Sequence, residues 1–119
     1  MKSQPSKRSA EPEPETKQEN SPSYERAAMG AASVIAAARN PDSVKFSKVF
    51  VAEDGTACYQ WRAQNGFGGM NQEHAVLLPN VDKLSQSVAQ WNLRCAKKQG
   101  TDITALIELR LPMLRTLAR

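Results

Sequence analysis

The chain has 119 residues and a hydrophobic fraction of 40%, enough for one domain around one core and no more. A net charge of +4 and a charged fraction of 24% are ordinary for a soluble globular chain, and no apolar run approaches the roughly 18 residues of a membrane-spanning helix. The two cysteines, Cys58 and Cys95, stand far apart with no Cys-x-x-Cys pair, which excludes a cysteine-built zinc site and leaves two free thiols or one disulfide.

Residues 1–22 are rich in Pro, Glu, Ser, Lys and Gln and hold no aromatic or branched aliphatic residue. They bury too little apolar surface to offset their ordering entropy, so they read as a disordered tail or tether. Glu11-Pro12-Glu13-Pro14-Glu15 should be extended and partly polyproline-like. Lys2, Lys7, Arg8 and Lys17 balance Glu11, Glu13, Glu15 and Glu19, which leaves the positive excess in the folded part. No apolar leader core follows Met1, so the sequence alone points to the cytoplasm.

Residues 23–100 read as a small α+β domain. Alanine, the best helix former, dominates a helix predicted over 24–39, capped by Ser23 and ended by Asn40-Pro41. Strands follow over 44–53 and 56–63, with Asp54-Gly55 as a two-residue hairpin turn. Phe46, Lys48 and Phe50 share one face of the first strand; Tyr59 and Trp61 share the more apolar face of the second. After the glycine-rich loop 65–69, a third strand runs over 73–79. A second helix over 82–98, capped by Asp82 or Ser85 and stopped at Gly100, carries Leu84, Val88, Trp91 and Cys95 as an inward stripe. Phe46, Phe50, Trp61, Val76, Leu78, Val88 and Trp91 should form the core. Residues 101–119 fit a C-terminal helical segment broken near Pro112, packed on the domain or projecting to self-associate.

Candidate chemistry is sparse. His74 is the only histidine, and the one nucleophile pairing open to it is with Cys58 or Cys95. The loop Asn65-Gly66-Phe67-Gly68-Gly69 lacks the lysine of a Walker loop, and a strand follows it instead of the helix of a dinucleotide fingerprint. It reads as a tight connection and a candidate binding loop through Asn65, Phe67, Gly68 and Gly69. Tyr59, Trp61 and Phe67 with Lys48 and Arg62 offer stacking faces beside cations, as in single-stranded nucleic-acid binders. The carboxylates are scattered, and no catalytic, metal or cofactor site is expected.

The stretch from Asn40 to Cys95 resembles a family of small uncharacterised bacterial and prophage proteins, many exported or lipid-anchored. Three segments carry the resemblance: Asn40-Pro41-Asp42-Ser43-Val44-Lys45-Phe46, the run from Cys58 to Met70, and Trp91-Asn92-Leu93-Arg94-Cys95. The family patterns are Asp-Pro-x-Ser-x-x-Phe, Cys-Gly-x-x-Asn-Ala-Lys-Asn-x-Phe-Gly-Gly-Tyr and Trp-x-x-x-Cys. This chain departs at Tyr59, Arg62, Gln64 and Met70. The resemblance implies a Cys58–Cys95 disulfide and hence an oxidising compartment, the periplasm or cell envelope. That setting requires a leader ahead of Met1; without one the chain stays cytoplasmic. The leading expectation is a non-enzymatic domain that binds another macromolecule, its protein partner unknown. The second is a basic module of mobile-element origin contacting nucleic acid.

Overall fold

The computed structural model describes residues 22–118. The tail expected over 1–22 therefore lies outside the described residues, except for Pro22, which opens a helix. Proline's fixed φ suits the first turn, where its missing N–H costs nothing. The elements are α1 (Pro22–Ala37), a 3-10 turn (Pro41–Ser43), β1 (Lys45–Val51), β2 (Ala57–Gln64), β3 (Met70–Leu77), β4 (Leu84–Ser85), α2 (Val88–Arg94), β5 (Thr101–Asp102), α3 (Thr104–Leu109) and α4 (Leu111–Ala118).

The fold is α+β. The sheet has five strands in the order β4-β3-β2-β1-β5, every neighbour antiparallel, where the sequence suggests three. The additional strands are two residues each, too short to leave an alternating pattern. Val76 and Leu77 pair with Ser85 and Leu84; Phe50 and Val51 pair with Asp102 and Thr101.

One face of the sheet holds most of the core. Phe46, Val49, Tyr59, Trp61, Ala75 and Leu77 lie beneath Ala27, Ala31, Val34 and Ile35 of α1, and Leu106, Ile107, Leu111 and Leu114 join them from α3 and α4. The C-terminal segment is therefore part of the domain core. The Tyr59 hydroxyl donates to the Ala27 carbonyl (2.8 Å), and a Cβ on Gly30 would collide with that hydroxyl. Glycine lets α1 sit directly on the tyrosine. One residue before Ala27, Arg26 donates to the carbonyls of Gly55, Leu78 and Val81 at 3.1, 2.6 and 3.0 Å.

The opposite face carries a smaller cluster of Phe50, Cys58, Val76 and Cys95, flanked by Leu78 and Trp91. Phe46 and Phe50 do not share a face as the alternation suggests. The β1–β2 register shifts between Phe46 and Lys48, and such a bulge reverses the parity of the residues beyond it.

The helix expected over 82–98 is a strand and a short helix. Leu84 is drawn into β4 by pairing with Leu77. Ser87, not Asp82 or Ser85, caps α2 by accepting from the Gln90 N–H (3.2 Å), while Ser85 bonds the Ser87 N–H. Local serine bonds of this kind compete with helix continuation. Val88, expected in the core, is 62% exposed; Leu78 and Trp91 are half-buried. The helix ends at Arg94, so Gly100 is not its cap but passes close against the Val51 carbonyl.

Asp54-Gly55 is also not a two-residue type I′ turn. Ala52 and Thr56 still pair, Gly55 N–H donates to Ala52 O, and of Asp54 and Gly55 only the glycine has positive φ, at 95°. That is a three-residue loop closed by a glycine bulge.

Candidate binding site

The β2–β3 hairpin repeats that loop design with Gly68 at φ 88°. Here the sequence adds a side-chain lock. Asn65 Oδ1 accepts from the N–H groups of Phe67 (2.8 Å) and Gly69 (3.1 Å). Its backbone N–H donates to Gly69 O (2.8 Å), and its Nδ2 donates to Asn71 Oδ1 (3.2 Å). Of the four residues singled out for this loop, Asn65, Gly68 and Gly69 therefore build it. Phe67 alone projects, with 99% of its surface exposed. The Phe67 and Gly69 N–H groups are spent on Asn65, so they offer no cradle to a phosphate.

Beside the loop, between the second half of α1 and the β3 edge, lies a cleft of about 610 Å³. Ser33, Val34 and Ala37 form its helical wall, with Ala38 and Arg39 just beyond the helix, and Trp61, Ala63 and Ala75 its floor. Asn71 and the half-buried Glu73 stand at its rim, with Asp82, Lys83 and Leu84 across from them. The sequence hides this cleft, because alanines in a helix read only as helix formers.

The second face of the sheet is laid out by the register. Lys45 faces Arg62, which faces Gln72; Lys48 faces Gln60, which faces His74; Phe50 faces Cys58, which faces Val76. The last row lies under α2. The first row is open, the second is covered at its His74 end, and Lys45, Lys48 and Arg62 are exposed.

Cys58 and Cys95 form a disulfide, with Cα atoms 5.9 Å apart and residue exposures of 0% and 3%. It ties the end of α2 to β2. A helix this short is unstable alone, and few apolar side chains hold it, so the covalent tie substitutes for buried area. With both sulfurs bonded, His74 has no thiol to activate. Its ring packs 5.0 Å from Trp91, and its Nε2 is sealed without a hydrogen-bond partner. His74 thus sits under α2 and is not a surface residue at a strand end.

The stacking cluster weighed for nucleic acid is dispersed. Tyr59 and Trp61 are buried on the first face, Lys48 and Arg62 lie on the second, and Phe67 stands at the tip. Among the described residues, no group of His, Cys, Asp or Glu could hold a metal ion, and no helix is long and apolar enough to cross a membrane. Comparison of the chain with protein-family models, with curated proteins and with solved structures finds no match in any of the three.

Proposed function

We propose that this chain is a non-enzymatic binding domain of the cell envelope or of prophage origin, which docks a protein partner through the tip of its β2–β3 hairpin. The observation that carries the reading is Phe67, an aromatic side chain held almost fully in solvent by a loop pinned through the Asn65 side chain. Aromatic residues are enriched at interface hot spots, and a loop ordered beforehand loses little entropy on binding. The buried Cys58–Cys95 bond supports an oxidising compartment. The resemblance to exported and prophage proteins agrees with it.

The test is a photo-crosslinking phenylalanine analogue at position 67 in the cell of origin, with Leu117, exposed on α4, as the control site. A discrete adduct from position 67 alone is expected. Phe67→Ser should then weaken binding to the captured partner at least about tenfold, as for a hot spot, without moving the thermal midpoint. Identical adduct patterns from both sites, or turnover of a substrate that requires His74, would overturn the reading.

One observation favours a second reading, contact with nucleic acid. Lys45 and Arg62 lie directly opposite each other on an open sheet face, a like-charge pair that is destabilising unless a counter-charge arrives. Binding through these cations should fall steeply with salt. Negligible DNA and RNA binding at low salt would remove it.

A further inference from the structure

We infer that the acidic run Glu11–Glu19 of this chain's own N-terminal segment docks on the open half of the sheet's second face, with Glu15 toward Lys48 and Glu13 toward Lys45 and Arg62. The inference does not rest on the Phe67 tip. It gives the cationic face an occupant that any other polyanion must displace.

The face is defined by what α2 leaves uncovered. Lys45, Arg62 and Gln72 form one row, and Lys48 and Gln60 the next before His74 passes under Trp91. These rows hold three exposed cations and no carboxylate. Lys45 and Arg62 have no ion pair or hydrogen bond among the described residues, and Lys48 Nζ meets the Phe50 ring at 6.0 Å. The carboxylates beside the patch on the β1 side are already used. Glu108 accepts the Phe46 N–H (2.8 Å), and Asp102, which faces Lys48, accepts from the Thr104 hydroxyl (2.6 Å) and N–H (2.8 Å). Like charges placed directly opposite repel, so Lys45 and Arg62 gain from any anion between them.

The N-terminal segment supplies that anion in a matching pattern. Its charges are segregated: Lys2, Lys7 and Arg8 come first, and Glu11, Glu13, Glu15 and Glu19 follow with Lys17 as their one cation. Pro12 and Pro14 have no N–H, so the run is poorly suited to extending a sheet by main-chain bonds and is left with its carboxylates. Glu11, Glu13 and Glu15 recur at every second residue, about 6–7 Å apart in an extended or polyproline-like chain. The rows of the face repeat at the same interval, because Gln60 and Arg62 are two residues apart on β2. A segment lying along β2 therefore brings successive carboxylates to successive rows.

The point of attachment gives the segment the reach. The described chain begins at Pro22, and Arg26, one turn on, bonds Gly55 O, so α1 starts at the end of the sheet where β2 starts. From Ala57 the Lys48 row is three residues along β2 and the Lys45 row five, about 10 and 17 Å. Crossing one layer to the second face adds about 10 Å. Glu15 and Glu13 precede Pro22 by seven and nine residues, spans of about 22 and 28 Å at 3.1 Å per residue. The two spans meet the two rows in order. The basic residues Lys2, Lys7 and Arg8 fall beyond the patch. Because the segment is tethered, its local concentration at the face is on the order of millimolar, which lets a few surface charge pairs hold it at low salt.

The test uses the full chain with its disulfide intact and a nitroxide attached through Thr16→Cys, which leaves every glutamate in place. Amide NMR should show the label broadening Lys48, Gln60 and Arg62 at least about threefold more at about 20 mM salt than at about 0.5 M, where the screening length is about 4 Å. Lys45→Glu with Arg62→Glu, both at exposed positions, should abolish that broadening without moving the thermal midpoint. Glu13→Lys with Glu15→Lys should abolish it as well, and all four substitutions together should restore it, since the charges are then exchanged. Phe67→Ser should change none of this, so the result is separate from the fate of the tip reading. Broadening at the patch that ignores salt, no broadening there, or no rescue by the charge exchange would overturn the inference. So would broadening that arises only between a spin-labelled copy and a separate isotope-labelled copy, which would assign the face to a second molecule.

Discussion

At the scale of single residues, Gly30 and Tyr59 set the distance between α1 and the sheet. In an open helix, alanine in place of glycine gains about 1 kcal/mol. Here the new methyl would occupy the position of the Tyr59 hydroxyl and break its bond to Ala27 O. Overpacking of this kind costs about 1–3 kcal/mol, so Gly30→Ala should destabilise the domain, read as a lower urea midpoint with an unchanged slope. Asp102 sets an acid limit. The hydrogen bond from the Thr104 hydroxyl (2.6 Å), followed by that from the Thr104 N–H (2.8 Å), holds its carboxyl below the usual aspartate value. A depressed carboxylate stabilises the fold at pH above the unfolded-state value, and that contribution is lost as pH falls through the folded-state value. Asp102→Asn should therefore flatten the acid limb of stability measured by denaturation between pH 6 and pH 3.

At the scale of elements, α2 depends on its covalent tie. Cys58 and Cys95 are 37 residues apart, and closing such a loop stabilises by about 4 kcal/mol in the chain-entropy model. Cys95→Ser should cost that order in urea unfolding. It should also release Trp91 from His74, visible as a shift in tryptophan emission, while the core around Tyr59 persists. Sequence made some elements legible and hid others for physical reasons. Alanine content gives α1, and the glycines mark both hairpin loops. The two-residue strands β4 and β5 are too short for any periodic signal. Leu84, Val88, Trp91 and Cys95 sit at helical spacing, yet Leu84 belongs to an edge strand and Val88 to solvent. The bulge near Ser47 leaves no mark, because both parities of β1 carry apolar residues. In the site, the loop could be found from its glycines, but the lock by Asn65 and the cleft depend on tertiary packing.

At the scale of the whole molecule, one sheet divides its labour between faces. The face under α1, α3 and α4 supplies the core, and the other is half covered by a stapled helix. The proposed contact at the Phe67 tip adjoins the cleft through Asn65. The setting in which this happens rests on the disulfide. The direct measurement is the thiol state of the protein as it stands in its cell of origin. Acid quenching, alkylation and intact mass should find no label before reduction and two labels after it. Two labels before reduction would place the chain in a reducing compartment and contradict the extracytoplasmic account.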